Sequence, residues 1–138
     1  LFYQKVVHPL VWGEPGDQQR IAKVLAEDAP EALDYLEGEL PESGWLFGEF
    51  GLADIAIASF FRNAAYADFE PDADRWPRVA AFVTRALAHE AFASTKPFED
   101  IQRSVDIKGR RQALLDAGAP LTEETLGTPV PRKGMMRL

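Results

Sequence analysis

The stretch GEFGLADIAIASFF, residues 48–61, places a helix-start device directly before a helix that has almost no polar face. Such a helix needs neighbours on most sides, so the rest of the fold has to be assembled around it. With Gly51 as N-cap, Leu52 and Ala53 take the first two helical positions and Asp54 the third, from which a carboxylate reaches back to the Gly51 backbone N–H. Phe50 and Ile55 flank this start as a hydrophobic staple. Asp54 also sets negative charge beside the positive end of the helix dipole, which is worth about 0.3–1 kcal/mol at an exposed helix start. The device is expected to support folding and to take no part in chemistry.

Helical spacing recurs along the chain. Leu1, Val6, Val7, Leu10, Val11 and Trp12 share one short segment, and Pro9 predicts a kink over residues 5–9, because proline lacks the N–H and crowds the preceding turn. Asp17 is a candidate cap for a long helix whose apolar stripe runs from Ile21, Val24 and Leu25 through Ala29, Ala32, Leu33 and Leu36 to Leu40, with a kink or short break at Pro30. Glu27, Asp28, Glu31, Asp34, Glu37 and Glu39 fill its remaining surface, which is expected to be a solvated acidic face. Trp45, Leu46 and Phe47 form an apolar loop suited to plugging the core. The central helix is predicted from Leu52 to Tyr66. Pro77 suits the opening of the next, with Val79, Phe82, Val83, Ala86 and Leu87 as its buried stripe. A turn at Phe92, a helix over 97–105 with Phe98 and Ile101 inward, and a last helix stopped by Gly118 complete the pattern. No alternating strand pattern competes. The predicted fold is all-α, a bundle of five or six helices over residues 1–118, with 119–138 as an extended tail.

Composition narrows the function classes. Cysteine is absent, which removes disulfides, thiolate metal sites and cysteine nucleophiles and fits a reducing, cytoplasmic setting. The apolar runs fall well short of the roughly 20 residues of a membrane-spanning helix, so no membrane partner is expected. The net charge is −7, and residues 1–54 hold eleven acids against three bases. That surface repels nucleic acid, whose binding requires a basic face. A basic stretch free of acids, with Arg132, Lys133 and Arg137, lies in the Pro/Gly-rich tail and is expected to be a solvated terminus.

Catalytic constellations are missing. The two histidines, His8 and His89, have no nucleophile motif beside them, which leaves no serine triad. His89 and Glu90 are adjacent, so on a helix they point about 100° apart and make no i, i+4 metal-ligand pair. Gly48 and Gly51 follow no strand and form no phosphate loop. Neither a catalytic nor a metal-ligating residue is expected.

The runs WLFGEFGLADIAIASFF, DRWPRVAAFVTRAL and HEAFAS occur in the order in which the C-terminal all-helical domain of glutathione S-transferases places a cap, an Ala-Asp pair, an apolar helix and the helix after it. Residues 1–105 resemble that domain, in a bacterial-type member. One departure is Gly51, since the family usually has Ser or Thr at the cap. The resemblance implies a full-length protein in which glutathione, the co-substrate, is held and activated by a preceding thioredoxin-like domain absent from this chain. The start at Leu1 is read accordingly as a piece of a longer polypeptide. It implies further that this domain supplies one wall of the site for a hydrophobic electrophile, with Tyr3, His8 and Trp12 as substrate-binding candidates. Dimer contacts, a homodimer, apolar surface bared on the first and central helices, and no activity in isolation are also expected. An alternative is a non-catalytic assembly module, as similar domains are in translation elongation factor subunits and aminoacyl-tRNA synthetase complexes.

Overall fold

The structure, a computed structural model, describes residues 1–122; the basic tail residues Arg132, Lys133 and Arg137 lie outside the described residues, as does most of the expected extended tail. The described residues are all-helical. They contain no strand, and one isolated β-bridge pairs Phe47 with Glu49. The chain divides after His89 into two compact units, inside the stretch that its sequence presents as one domain.

The first unit opens with α1, Tyr3–Trp12, wound wide as a π-helix. The long helix α2 follows as three continuous segments, Gln18–Lys23, a π-wound turn Val24–Asp28, and Ala29–Glu39. Asp17 caps it by accepting the Arg20 N–H at 3.0 Å. The kinks expected at the two prolines are therefore wide windings. A proline ring clashes with the carbonyl four residues back. Widening the helix relieves that crowding, within α1 at Pro9 and in the turn just before Pro30, where the Ala29 N–H bonds to Val24 O, five residues back.

Helix α3, Leu52–Tyr66, occupies its expected span. Its C-terminus closes with a Schellman pair: the Asp68 N–H bonds to Ala65 O and the Phe69 N–H to Ala64 O, with Asp68 itself at φ 56°. Helix α4, Pro77–Ala88, buries Val79, Phe82 and Ala86 completely. With Leu33 and Leu40 of α2 and Ala58 and Phe61 of α3, these make the core of the unit. Burying a side chain such as Phe82 contributes about 1.5–3 kcal/mol.

Three expectations are corrected. The acidic face of α2 is not wholly solvated. Trp76, at the N-cap of α4, offers no side-chain cap, and the Glu37 carboxylate takes that role across the helix pair, accepting the Arg78 and Val79 N–H groups at 3.0 Å each. One turn earlier Asp34 accepts the Trp76 indole N–H at 2.6 Å, and Arg75 lies over the indole ring at 4.2 Å. Second, the 45–47 loop plugs the core only in part: Trp45 packs edge-on to Phe50 and Phe82, while Phe47 is 85% exposed, carried outward by the turn at Gly48 with its φ of 90°. Third, α3 is covered on one side only. Its neighbours reach Ala58 and Phe61, and the stripe through Leu52, Ala56 and Phe60 stays open, Leu52 at 82% and Phe60 at 76% exposure.

The second unit begins at Glu90 with a short turn of helix α5, Glu90–Ala93, followed by α6, Lys96–Ser104, and α7, Arg110–Asp116. Phe92 and Leu114 are buried, Phe98 and Ile101 half-buried. The Arg110 guanidinium donates to Val105 O at 3.1 Å. Gly118, at φ 80°, ends α7 with a second Schellman pair to Leu115 O and Leu114 O.

Candidate functional site

Tyr3, His8 and Trp12 form one aromatic cluster on α1. Their ring centroids lie 5.3 Å (Tyr3–His8), 4.9 Å (His8–Trp12) and 5.7 Å (Tyr3–Trp12) apart, each pair edge-on or tilted. The winding makes this possible. In an ordinary helix at about 100° per residue, positions 3 and 12 fall on opposite faces. Closure by i→i−5 bonds widens the turn to roughly 4.4 residues, so separations of five and four residues return to the same face. Tyr3 and Trp12 are exposed, Trp12 at 50%. His8 lies half-buried between them, and its Nδ1 is buried with no hydrogen-bond partner among the described residues.

Three contacts fix α1 in place. Gln4 is buried and its Oε1 accepts the Asp17 N–H at 2.8 Å, which ties α1 to the cap of α2. Gly16 presses against the Gln4 backbone so closely that a Cβ there would sit 2.0 Å from Gln4 O, so no other residue fits. Lys5 donates to Ala67 O and pairs with Asp68 at 3.6 Å, which places its charge at the C-terminal, negative end of α3. Gly13, at φ 69°, closes α1 through a bond from its N–H to Pro9 O.

At the start of α3, Asp54 is 1% exposed and accepts two backbone N–H groups, that of Gly51 at 2.9 Å and that of Leu46 at 3.1 Å. The first bond is the returning half of a capping box; the second, which the sequence did not indicate, ties the 45–47 loop to the helix. Gly51 supplies no side chain, so the other half is missing. Phe50 stacks on His89 at 3.7 Å with planes 18° apart, and Ile55, the far end of the expected staple, is exposed. His89 thus belongs to a packed aromatic group with Phe50 and Trp45.

Chemically this arrangement can bind an apolar, flat group against the α1 rings, because Tyr and Trp join large apolar area to a polar edge. No group of three or more His, Cys, Asp or Glu side chains with metal-binding geometry occurs among the described residues. No helix of the described residues is long and apolar enough to cross a membrane.

Among known families, the model of the glutathione S-transferase, C-terminal domain, matches residues 18–85. No curated protein and no solved structure gives a match. The matched stretch takes in α2, the Asp54-anchored start of α3, the whole of α3 and α4 as far as Arg85, and stops short of the aromatic cluster on α1. The match takes in the capped apolar helix α3 and the acidic helix α2, with α4 packed against both, and residues 18–85 of this chain are a glutathione S-transferase C-terminal domain.

Proposed function

We propose that the chain is the electrophile-side half of a glutathione-conjugating enzyme. The observation that carries this reading is the alignment of Tyr3, His8 and Trp12 on one face of α1, immediately before a domain of the transferase family. In the full-length protein a thioredoxin-like domain binds glutathione and activates its thiol, and the α1 rings hold a hydrophobic electrophile facing it. Uniform apolar binding of this kind lowers KM without accelerating the chemical step, which needs donors preorganised at the sulfur. The isolated chain is accordingly inactive. The full-length protein is a cytoplasmic homodimer, a reading supported by the absence of cysteine and by the exposed Leu10 and Val11 on α1.

A conjugation assay with glutathione and a chlorinated nitrobenzene tests both halves of this reading. The 138-residue chain gives no turnover above buffer. In the full-length enzyme Trp12→Ala raises KM for the electrophile about tenfold and leaves KM for glutathione unchanged. Turnover by the isolated chain, or a Trp12→Ala effect confined to glutathione, would defeat it. A second reading, a protein–protein assembly module, is favoured by the open apolar stripe of α3.

A further inference from the structure

Between the Ala29–Glu39 part of α2 and the middle of α3 runs a groove of about 350 Å³, and every residue that lines it is apolar. Its floor includes Leu36, Ile57 and Ala64; Phe69 also lines it, and Phe60 forms part of one wall while remaining open to solvent. The two borders differ. On α2, Asp28, Ala32, Tyr35 and Glu39 follow at intervals of four, three and four, so they make one stripe; all four are exposed, and Ala32 is itself a groove residue. That border carries the carboxylates of Asp28, which pairs with Lys23 at 3.5 Å, and Glu39, which makes no ion pair among the described residues. On α3 the corresponding stripe is Leu52, Ala56, Phe60 and Asn63, with no charge.

We infer that this groove is a docking site for an amphipathic helix of a partner protein, one with an apolar stripe and a row of Lys or Arg along the flank that faces α2. The apolar floor takes aliphatic anchors at i, i+3/i+4 and i+7, and the one-sided acidic border sets the direction in which the helix lies. A second copy of this chain is the poorer occupant. Each copy has a net charge of −7, concentrated in the half that forms this border, so self-docking here brings like charges together. The inference gives the assembly reading a partner and does not depend on glutathione chemistry.

Fluorescence anisotropy of two labelled synthetic helices of about 18 residues, identical in their leucine stripe and carrying either Lys or Glu along one flank, tests it on the 138-residue chain. The Lys helix binds at least about tenfold tighter than the Glu helix at low salt. Phe60→Ser, at a position too exposed to unfold the protein, weakens both by about tenfold. Ala32→Arg, also at an exposed position, does the same for the Lys helix should Phe60→Ser disturb the fold. Asp28→Lys with Glu39→Lys reverses the preference. Equal binding of the two helices, or no response to Phe60→Ser and Ala32→Arg, overturns the proposal. Loss of the Lys-helix preference in the full-length protein overturns it too, since the groove is then covered within its own polypeptide. Phe60→Ser abolishing self-association while the Lys helix fails to compete assigns the groove to a second copy and likewise overturns it. Conjugation activity in the full-length protein is measured alongside, so a failure here leaves the transferase reading to stand or fall on its own assay.

Discussion

Asp54 shows how a single buried carboxylate can organise both a helix start and the loop before it. Both oxygens accept backbone N–H groups, from Gly51 and Leu46, in a site almost sealed from water. Asp54→Asn keeps the shape but turns an amide N–H₂ toward one of those donors, leaving a buried N–H without an acceptor. The variant is expected to lose about 1–3 kcal/mol, measured by urea unfolding with an unchanged m-value. Gly16→Ala acts through space alone, driving a Cβ into the Gln4 carbonyl, and is expected to cost about 1–3 kcal/mol together with a blue-to-red shift of Trp12 fluorescence as α1 moves away. At this scale the sequence told half the story. The spacing of Gly51 and Asp54 is local and legible, whereas the Leu46 N–H and the Gln4–Gly16 contact arise from loops folding back, which no periodicity encodes.

Among the elements, the pair α2 and α4 has the clearest division of labour. Proline at the first position of α4 fixes φ but leaves the next N–H groups unpaired, and Trp76 before it cannot accept them. Glu37 does so from the neighbouring helix, holding the two helices in register while their apolar faces close. Glu37→Ala is expected to lower stability by about 1–2 kcal/mol, as loss of an N-cap does. Glu31→Ala, at an exposed position of the same helix, changes it by less than about 0.5 kcal/mol. Equal effects in thermal unfolding would mean that the cross-helix cap contributes nothing. From the sequence these two acids look alike, because both lie off the apolar stripe. Their roles separate only once α4 is known to cross beside Glu37. The spans of α3 and α4 were legible because Gly51, Pro77 and the apolar spacing are strong local signals; the wide windings were not, since Pro9 and Pro30 announce a disturbance of a helix without saying whether it bends or widens.

For the molecule as a whole, charge and apolar surface pull against each other. Leu10, Val11, Leu52 and Phe60 are exposed on a chain with a net charge of −7. Any self-association is therefore expected to strengthen as salt screens the repulsion, the Debye length falling from about 10 Å at 0.1 M to about 3 Å at 1 M. Sedimentation equilibrium across that range checks it; a weight-average mass that falls with salt would show that charge, not apolar area, holds copies together. The all-helical class was legible at this scale, because a run of capped, amphipathic segments without alternation leaves little room for strands, and the domain family was legible through the resemblance carried by the run WLFGEFGLADIAIASFF and the helix after it. That the central helix is sheltered on one side only was not, since an apolar sequence states what a helix prefers and not what is there to cover it. The wide winding of α1 carries a consequence for how such a site tolerates change. Its three rings share a face by virtue of pitch, so inserting one residue between Tyr3 and His8 would turn Tyr3 roughly 80° further from the other two with every ring still present, whereas deleting one there leaves separations of four and four that still return to one side. Lengthening of this first stretch would break the aromatic face without the loss of a single ring.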